Sequence, residues 1–134
     1  MSVRQFAVAV PLLAALAVPL SAAPASASGG GGGAGIRAAG LCSAHTSWKL
    51  KAKHDNARIE LEAEVDSGRV GQTWAWSLTD NGRSVAAGSA KTIGPSGSFS
   101  VSRFTADRSG TDRVSLRATN AATGQSCSGL VVLV

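Results

Sequence analysis

The chain has 134 residues, with thirteen Lys and Arg against eight Asp and Glu, a formal net charge of +5, two cysteines, two histidines and no tyrosine. That length holds one small domain and excludes a second independent core. The sparse histidines and cysteines argue against a dense metal or acid–base centre, and the basic balance favours loose contact with anionic partners without defining a site.

Arg4, the apolar run FAVAVPLLAALAVPL of residues 6–20 and the small-residue string SAAPASAS have the three-part layout of a secretory signal peptide. Cleavage is expected after Ala27, which leaves Ala25 and Ala27 at the small-residue positions; a cut after Ala23 puts Pro24 immediately past the bond. Read as a membrane span, the run falls short of the roughly 20 apolar residues a helix needs, and Pro11 and Pro19 interrupt it. No transmembrane segment is expected. Removal of residues 1–27 takes Arg4 away and leaves twelve cations against eight carboxylates, a net +4.

Residues 28–40, SGGGGGAGIRAAG, offer almost no side chain to bury and read as a flexible tether. Residues 41–134 are then the folded domain. Cys42 and Cys127 stand near its two ends, and in an exported chain they are expected to form a disulfide bond.

Within the domain the pattern has period two and is broken at short intervals by Gly, Asn, Asp and Ser, so the chain is all-β. Residues 47–53 point Trp48, Leu50 and Ala52 one way and three lysines the other, and residues 57–65 alternate Ile59, Leu61, Ala63 and Val65 with Glu60, Glu62 and Glu64. A two-residue turn at Asp55-Asn56 sets Lys51 opposite Glu60 and Lys49 opposite Glu62, leaving Lys53 opposite Arg58. The lysines and glutamates thus read as the solvent face of a hairpin.

A second hairpin turns at Asn81-Gly82, with Leu78 opposite Val85, Trp76 opposite Ala87 and Trp74 opposite Ser89. This puts Trp74 and Trp76 on the inner face, where Trp48 and Phe99 join them as core aromatics. The small opposite face, Ala75, Ser77, Ala86 and Gly88, becomes the candidate contact surface. Residues 98–104, 112–120 and 127–134 supply the remaining strands, seven in all.

Seven short strands in about a hundred residues, with the segment DRSGTDRVSLRATN (107–120), resemble bacterial immunoglobulin-like and fibronectin type III domains, in which an Asp near the start of the sixth strand precedes alternating apolar residues. The resemblance implies a seven-stranded antiparallel immunoglobulin-like β-sandwich and says little of function. The chain departs from the antibody pattern: it has no tyrosine corner, and its cysteines lie before the first strand and at the start of the seventh. The bond is therefore expected as a terminal staple at one end of the sandwich, with Trp48 and Trp74 beneath it. With its alanine-rich leader and glycine-rich tether, the chain also resembles small secreted proteins of streptomycete-like bacteria.

His45 and His54 lie near opposite ends of one strand, too far apart to share a zinc ion, and no serine sits in a Gly-flanked elbow. The glycine run lacks the Lys-Ser/Thr ending of a phosphate loop. Arg113 and Arg117 fall on the face away from the tryptophans, against a nucleic-acid stacking groove. The sequence thus points to a monomeric, secreted, non-catalytic β-sandwich without a cofactor, whose partner is an extracellular protein or a cell-envelope polymer. Two alternatives stand beside it: a secreted protease inhibitor presenting residues 107–112, and a carbohydrate-binding module using exposed tryptophan.

Overall fold

The two-residue alternation read in the sequence is the alternation of real strands. In a computed structural model, residues 35–134 are described, and the expected signal peptide and the tether up to residue 34 lie outside them. Eight strands follow one another: β1 (Ile36–Leu41), β2 (Ser47–Asp55), β3 (Arg58–Asp66), β4 (Thr73–Asp80), β5 (Arg83–Lys91), β6 (Ser98–Ala106), β7 (Asp112–Asn120) and β8 (Gln125–Leu133). They form two antiparallel sheets, ordered β1-β2-β3-β6 and β5-β4-β7-β8. The fold is an immunoglobulin-like β-sandwich, with one strand more than expected. No helix among the described residues is long and apolar enough to cross a membrane.

The additional strand is β1, most of which falls in the segment whose composition suggested a tether. It pairs with β2 from Ile36↔Ala52 to Leu41↔Ser47. Backbone hydrogen bonds to a neighbour do not need large side chains, and β1 satisfies an edge of β2 that would otherwise be open.

Each hairpin corrects the expected register in a way that improves side-chain pairing. The first turn lies one residue later, at Asn56 and Ala57, with Asn56 in the left-handed region (φ 57°). Lys53 then faces Glu60 and Asp55 faces Arg58, so like charges no longer oppose each other. The apolar face is unchanged, because a two-residue shift in pairing keeps every side chain on its side.

The second hairpin does turn at Asn81 and Gly82, both with positive φ, as a type I′ connection requires. A bulge then interrupts the pairing between Leu78 and Thr79, and beyond it Leu78 faces Ala86, Trp76 faces Gly88 and Trp74 faces Ala90. The extra residue, Val85, swaps the faces of β5 relative to the unbroken register. Its result is to place Gly88 beneath the Trp76 indole, where a Cβ would lie 3.3 Å from the ring.

The core fills the space between the sheets. Leu50, Ala52, Ile59, Leu61, Ala63, Val65 and Phe99 come from the first sheet; Trp74, Trp76, Leu78, Val114, Leu116, Ala118, Cys127, Val131 and Leu133 come from the second. Cys42 and Cys127 are bonded, 85 residues apart in sequence. Because Cys42 follows β1 and Cys127 lies in β8, the bond joins the edges of the two sheets at one end of the sandwich. Hydrogen bonds reinforce it: Ser43 N to the Ser126 carbonyl (3.1 Å), Ser126 N to Ser43 Oγ (2.9 Å), and Thr46 Oγ1 to Gln125 Oε1 (2.6 Å). Trp48 packs beside this staple, where Gly40 of β1 and Gly129 of β8 leave room for it. A Cβ at Gly129 would lie 2.6 Å from two carbons of the Trp48 ring.

Candidate functional site

The residues singled out in the sequence separate into three groups. Trp74 is fully buried, Trp76 and Phe99 are 5% exposed, and Trp48 is half-buried against the core. No indole among them offers a flat exposed face for a sugar ring, so the structure does not supply the platform that carbohydrate recognition through exposed tryptophan requires. Trp76 is further covered by Arg103, whose guanidinium carbon lies 5.1 Å from the ring centroid.

The expected contact surface does not exist as one face. Ala75 and Ser77 face away from the core opposite Ser89 and Ala87, whereas Ala86 and Gly88 oppose Leu78 and Trp76 on the inner side. The bulge at Val85 accounts for the split: unbroken alternation predicts one face, and an inserted residue divides it. The inhibitor loop is altered too. Asp112 is buried, Asp107 is held by His54 and by a backbone bond from its N–H to the Ala57 carbonyl (3.1 Å), and the exposed span shrinks to residues 108–111.

What the fold does assemble is a trough across the outer face of the first sheet, of about 770 Å³, running from Arg37 and Lys49 to Ser100 and Ser102. The register builds it in rows. One reads Arg37, Lys51, Glu62, Ser102 across β1, β2, β3 and β6; the next reads Ala39, Lys49, Glu64, Ser100. Cations therefore line one wall, carboxylates the middle and hydroxyls the far edge.

Lys51 and Lys53 are engaged, at 3.5 Å from Glu62 and 3.0 Å from Glu60. The hydrogen bond that the Lys53 ammonium donates to Glu60 also raises its pKa above the ordinary 10.5. Glu64 instead accepts a 3.5 Å hydrogen bond from Ser100, and among the described residues neither Arg37 nor Lys49 makes an ion pair. Residues 1–34 contain no Asp or Glu that could fill that role. Two unpaired cations on one wall of a concave surface can meet an anionic group without first breaking a bridge. Arg37 was missed in the sequence because its segment reads as a tether; the signal was the alternation Ile36, Ala38, Gly40 against Arg37, Ala39, Leu41 immediately after the glycine run.

The end of the sandwich away from the disulfide holds the most perturbed groups. Asp80, at the end of β4, and Asp112, at the start of β7, are 2% and 1% exposed and close enough for the charge of one to act on the other. None of their four oxygens has a hydrogen-bond partner among the described residues. Two ionised carboxylates have no proton to share, so the contact becomes a hydrogen bond only when one of them is protonated. Burial, and then the charge of Asp112, push the Asp80 carboxyl above its ordinary 3.8, with Arg108 opposing.

Nearby, His54 Nδ1 lies 2.9 Å from Asp107 Oδ2 and Nε2 lies 3.3 Å from the Val134 carbonyl oxygen. The Val134 hydrogen bond, followed by that of Asp107, raises the imidazole above its ordinary 6.5. Among the described residues no group of three or more His, Cys, Asp or Glu is arranged to hold a metal ion.

Both shifts have the same sign in their effect on stability. A group whose folded pKa is raised stabilises the fold fully below its unfolded value and loses that contribution as pH rises through the folded value. The domain should therefore lose stability from about pH 4 upwards through Asp80, and again above the ordinary histidine range through His54. Asp80→Asn supplies a permanent amide donor to Asp112 and should raise stability at pH 8 by about 1 to 2 kcal/mol, while flattening the acidic part of the trend. Thermal unfolding followed from pH 4 to 8 in both proteins reads this directly; a variant no more stable than its parent at pH 8 rules out the shared proton.

No protein-family model and no curated protein matches the sequence. Among solved structures the chain is similar to chicken MD-1 complexed with lipid IVa, at 12% identity over 73% of this chain and 96% of that one, with a TM-score of 0.28. An overlap that low lends no support to any shared ligand or activity, and the site must be argued from this chain's own residues.

Proposed function

We propose that the protein is an exported, non-catalytic β-sandwich module that binds an anionic polymer of the cell envelope across the outer face of β1-β2-β3-β6. The observation that carries this reading is the pair Arg37 and Lys49, exposed and without carboxylate partners on one wall of a trough that crosses four strands. An open trough with repeating rows suits a chain-like ligand that presents the same group at intervals. The net positive charge adds long-range attraction to such a ligand. The single disulfide fits an oxidising space outside the cytoplasm.

Replacing Arg37 and Lys49 together by glutamine is expected to weaken co-sedimentation with isolated cell-wall material by about tenfold, since each cation contributes up to about 1 kcal/mol at an exposed site. The control removes the same net charge elsewhere, with Arg113→Gln and Arg117→Gln on the outer face of the second sheet, and should weaken binding much less. Equal losses in the two variants would reduce the effect to net charge and remove the trough from the account.

A further inference from the structure

A second surface lies at the disulfide end, where the loop between β3 and β4 meets the loop between β5 and β6. Thr92, fully buried, ties them together: its backbone N–H bonds the Gln72 carbonyl (2.8 Å), its carbonyl accepts from Gly71 N (2.8 Å), and its hydroxyl accepts from Gln72 N (2.9 Å) and donates to the Arg69 carbonyl (2.5 Å). Ser67 N adds a bond to the Gly97 carbonyl (3.0 Å), and Gly97, at φ 83°, has no room for a Cβ against the Arg69 backbone. The paired loops are thus held in one shape.

On this tip two aliphatic side chains face outward, Val70 at 63% and Ile93 at 64% exposure, and Pro95 beside them is exposed as well. Arg69 and Lys91 flank them, both exposed. The two loops carry no carboxylate of their own, and Asp66, the last residue of β3, accepts a hydrogen bond from the Gly68 N–H at 2.9 Å. Bonding this extensive leaves Val70 and Ile93 no inward alternative, so the tip presents apolar surface to solvent together with two cations that form no ion pair among the described residues.

We propose that this tip docks on an anionic phospholipid surface, with Val70 and Ile93 entering the headgroup boundary and Arg69 and Lys91 meeting lipid phosphates. A lipid interface needs no complementary shape, which suits a tip with two exposed aliphatic side chains; a protein partner needs a larger, better-fitted surface. The charge arrangement selects an anionic surface over a neutral one. This surface is separate from the trough, and the two can fail independently.

The test is vesicle co-sedimentation of the chain lacking residues 1–27, so that the apolar leader does not bind lipid itself; both sheets and the whole core described here lie within what remains. On vesicles of equal phosphatidylglycerol and phosphatidylcholine the protein should bind. Binding should be about 30-fold weaker on pure phosphatidylcholine, from the loss of two cation contacts. The variant Val70→Asp/Ile93→Asp should lose at least tenfold on anionic vesicles with its melting temperature kept, because both positions are exposed. Arg69→Gln/Lys91→Gln should lose binding on anionic vesicles alone, and Arg37→Gln/Lys49→Gln should retain it. No sedimentation with anionic vesicles, undiminished binding by the Asp variant, or loss confined to the Arg37/Lys49 variant would each overturn the proposal.

Discussion

Replacing both Cys42 and Cys127 by serine is expected to lower the free energy of unfolding by about 4 to 5 kcal/mol. The bond closes a loop of 85 residues in sequence, nearly the whole folded domain, so reduction releases a large ensemble of unfolded conformations. The native end should keep its shape without it, because the bonds joining Ser43, Thr46, Gln125 and Ser126 hold the same two segments. The effect should therefore appear chiefly in the unfolded state. Urea denaturation should show a lower midpoint together with a larger m-value, as the released chain exposes more surface. A loss of less than about 2 kcal/mol with an unchanged m-value would mean that the unfolded chain is already compact near its ends.

The second large effect is expected at Trp74. This residue is the largest fully buried side chain, and Trp74→Ala should cost about 3 to 5 kcal/mol, the range for removing a large aromatic from a core that cannot collapse around the space. Trp74→Phe should cost much less, under about 1.5 kcal/mol. The reason is specific to this site: the indole Nε1 is buried without a hydrogen-bond partner among the described residues, so phenylalanine loses some volume but also removes an unsatisfied donor. Equilibrium unfolding of the two variants decides the point. Near-equal, small losses would place Trp74 at the surface, as a binding platform requires, and contradict its place in the core.

Much of this fold was legible because alternation is a local property. The faces of β2 and β3, the burial of Trp74 and Trp76, the type I′ turn at Asn81-Gly82 and the pairing of Cys42 with Cys127 follow from neighbours in sequence or from the count of cysteines. What was not legible depended on distant partners. β1 has no strong pattern of its own and becomes a strand through β2, and Gly40 looks like linker until Trp48 is seen to occupy its side-chain space. The bulge at Val85 likewise answers the size of Trp76, which needs a glycine opposite it, and one inserted residue was enough to divide the expected contact surface.

The candidate site was hidden for the same reason. Lys49, Glu62 and Glu64 read as a solvated hairpin face, and Lys51–Glu62 and Lys53–Glu60 do pair. Only the addition of β1 on one side and β6 on the other turns that face into a trough and leaves Arg37 and Lys49 unpaired. The acid pair was equally invisible, since Asp80 and Asp112 stand 32 positions apart and each reads alone as a polar strand end.

Proposed binding in the trough is tested most directly by a residue-resolved titration. Backbone amide shifts of the chain lacking residues 1–27 can be followed as poly(glycerol phosphate) is added, at low and at moderate salt. Saturable shifts are expected across β1, β2, β3 and β6 along the trough, strongest around Arg37 and Lys49, with affinity falling as salt rises. Shifts spread evenly over all exposed cations, or gathered at Arg113 and Arg117, would contradict it.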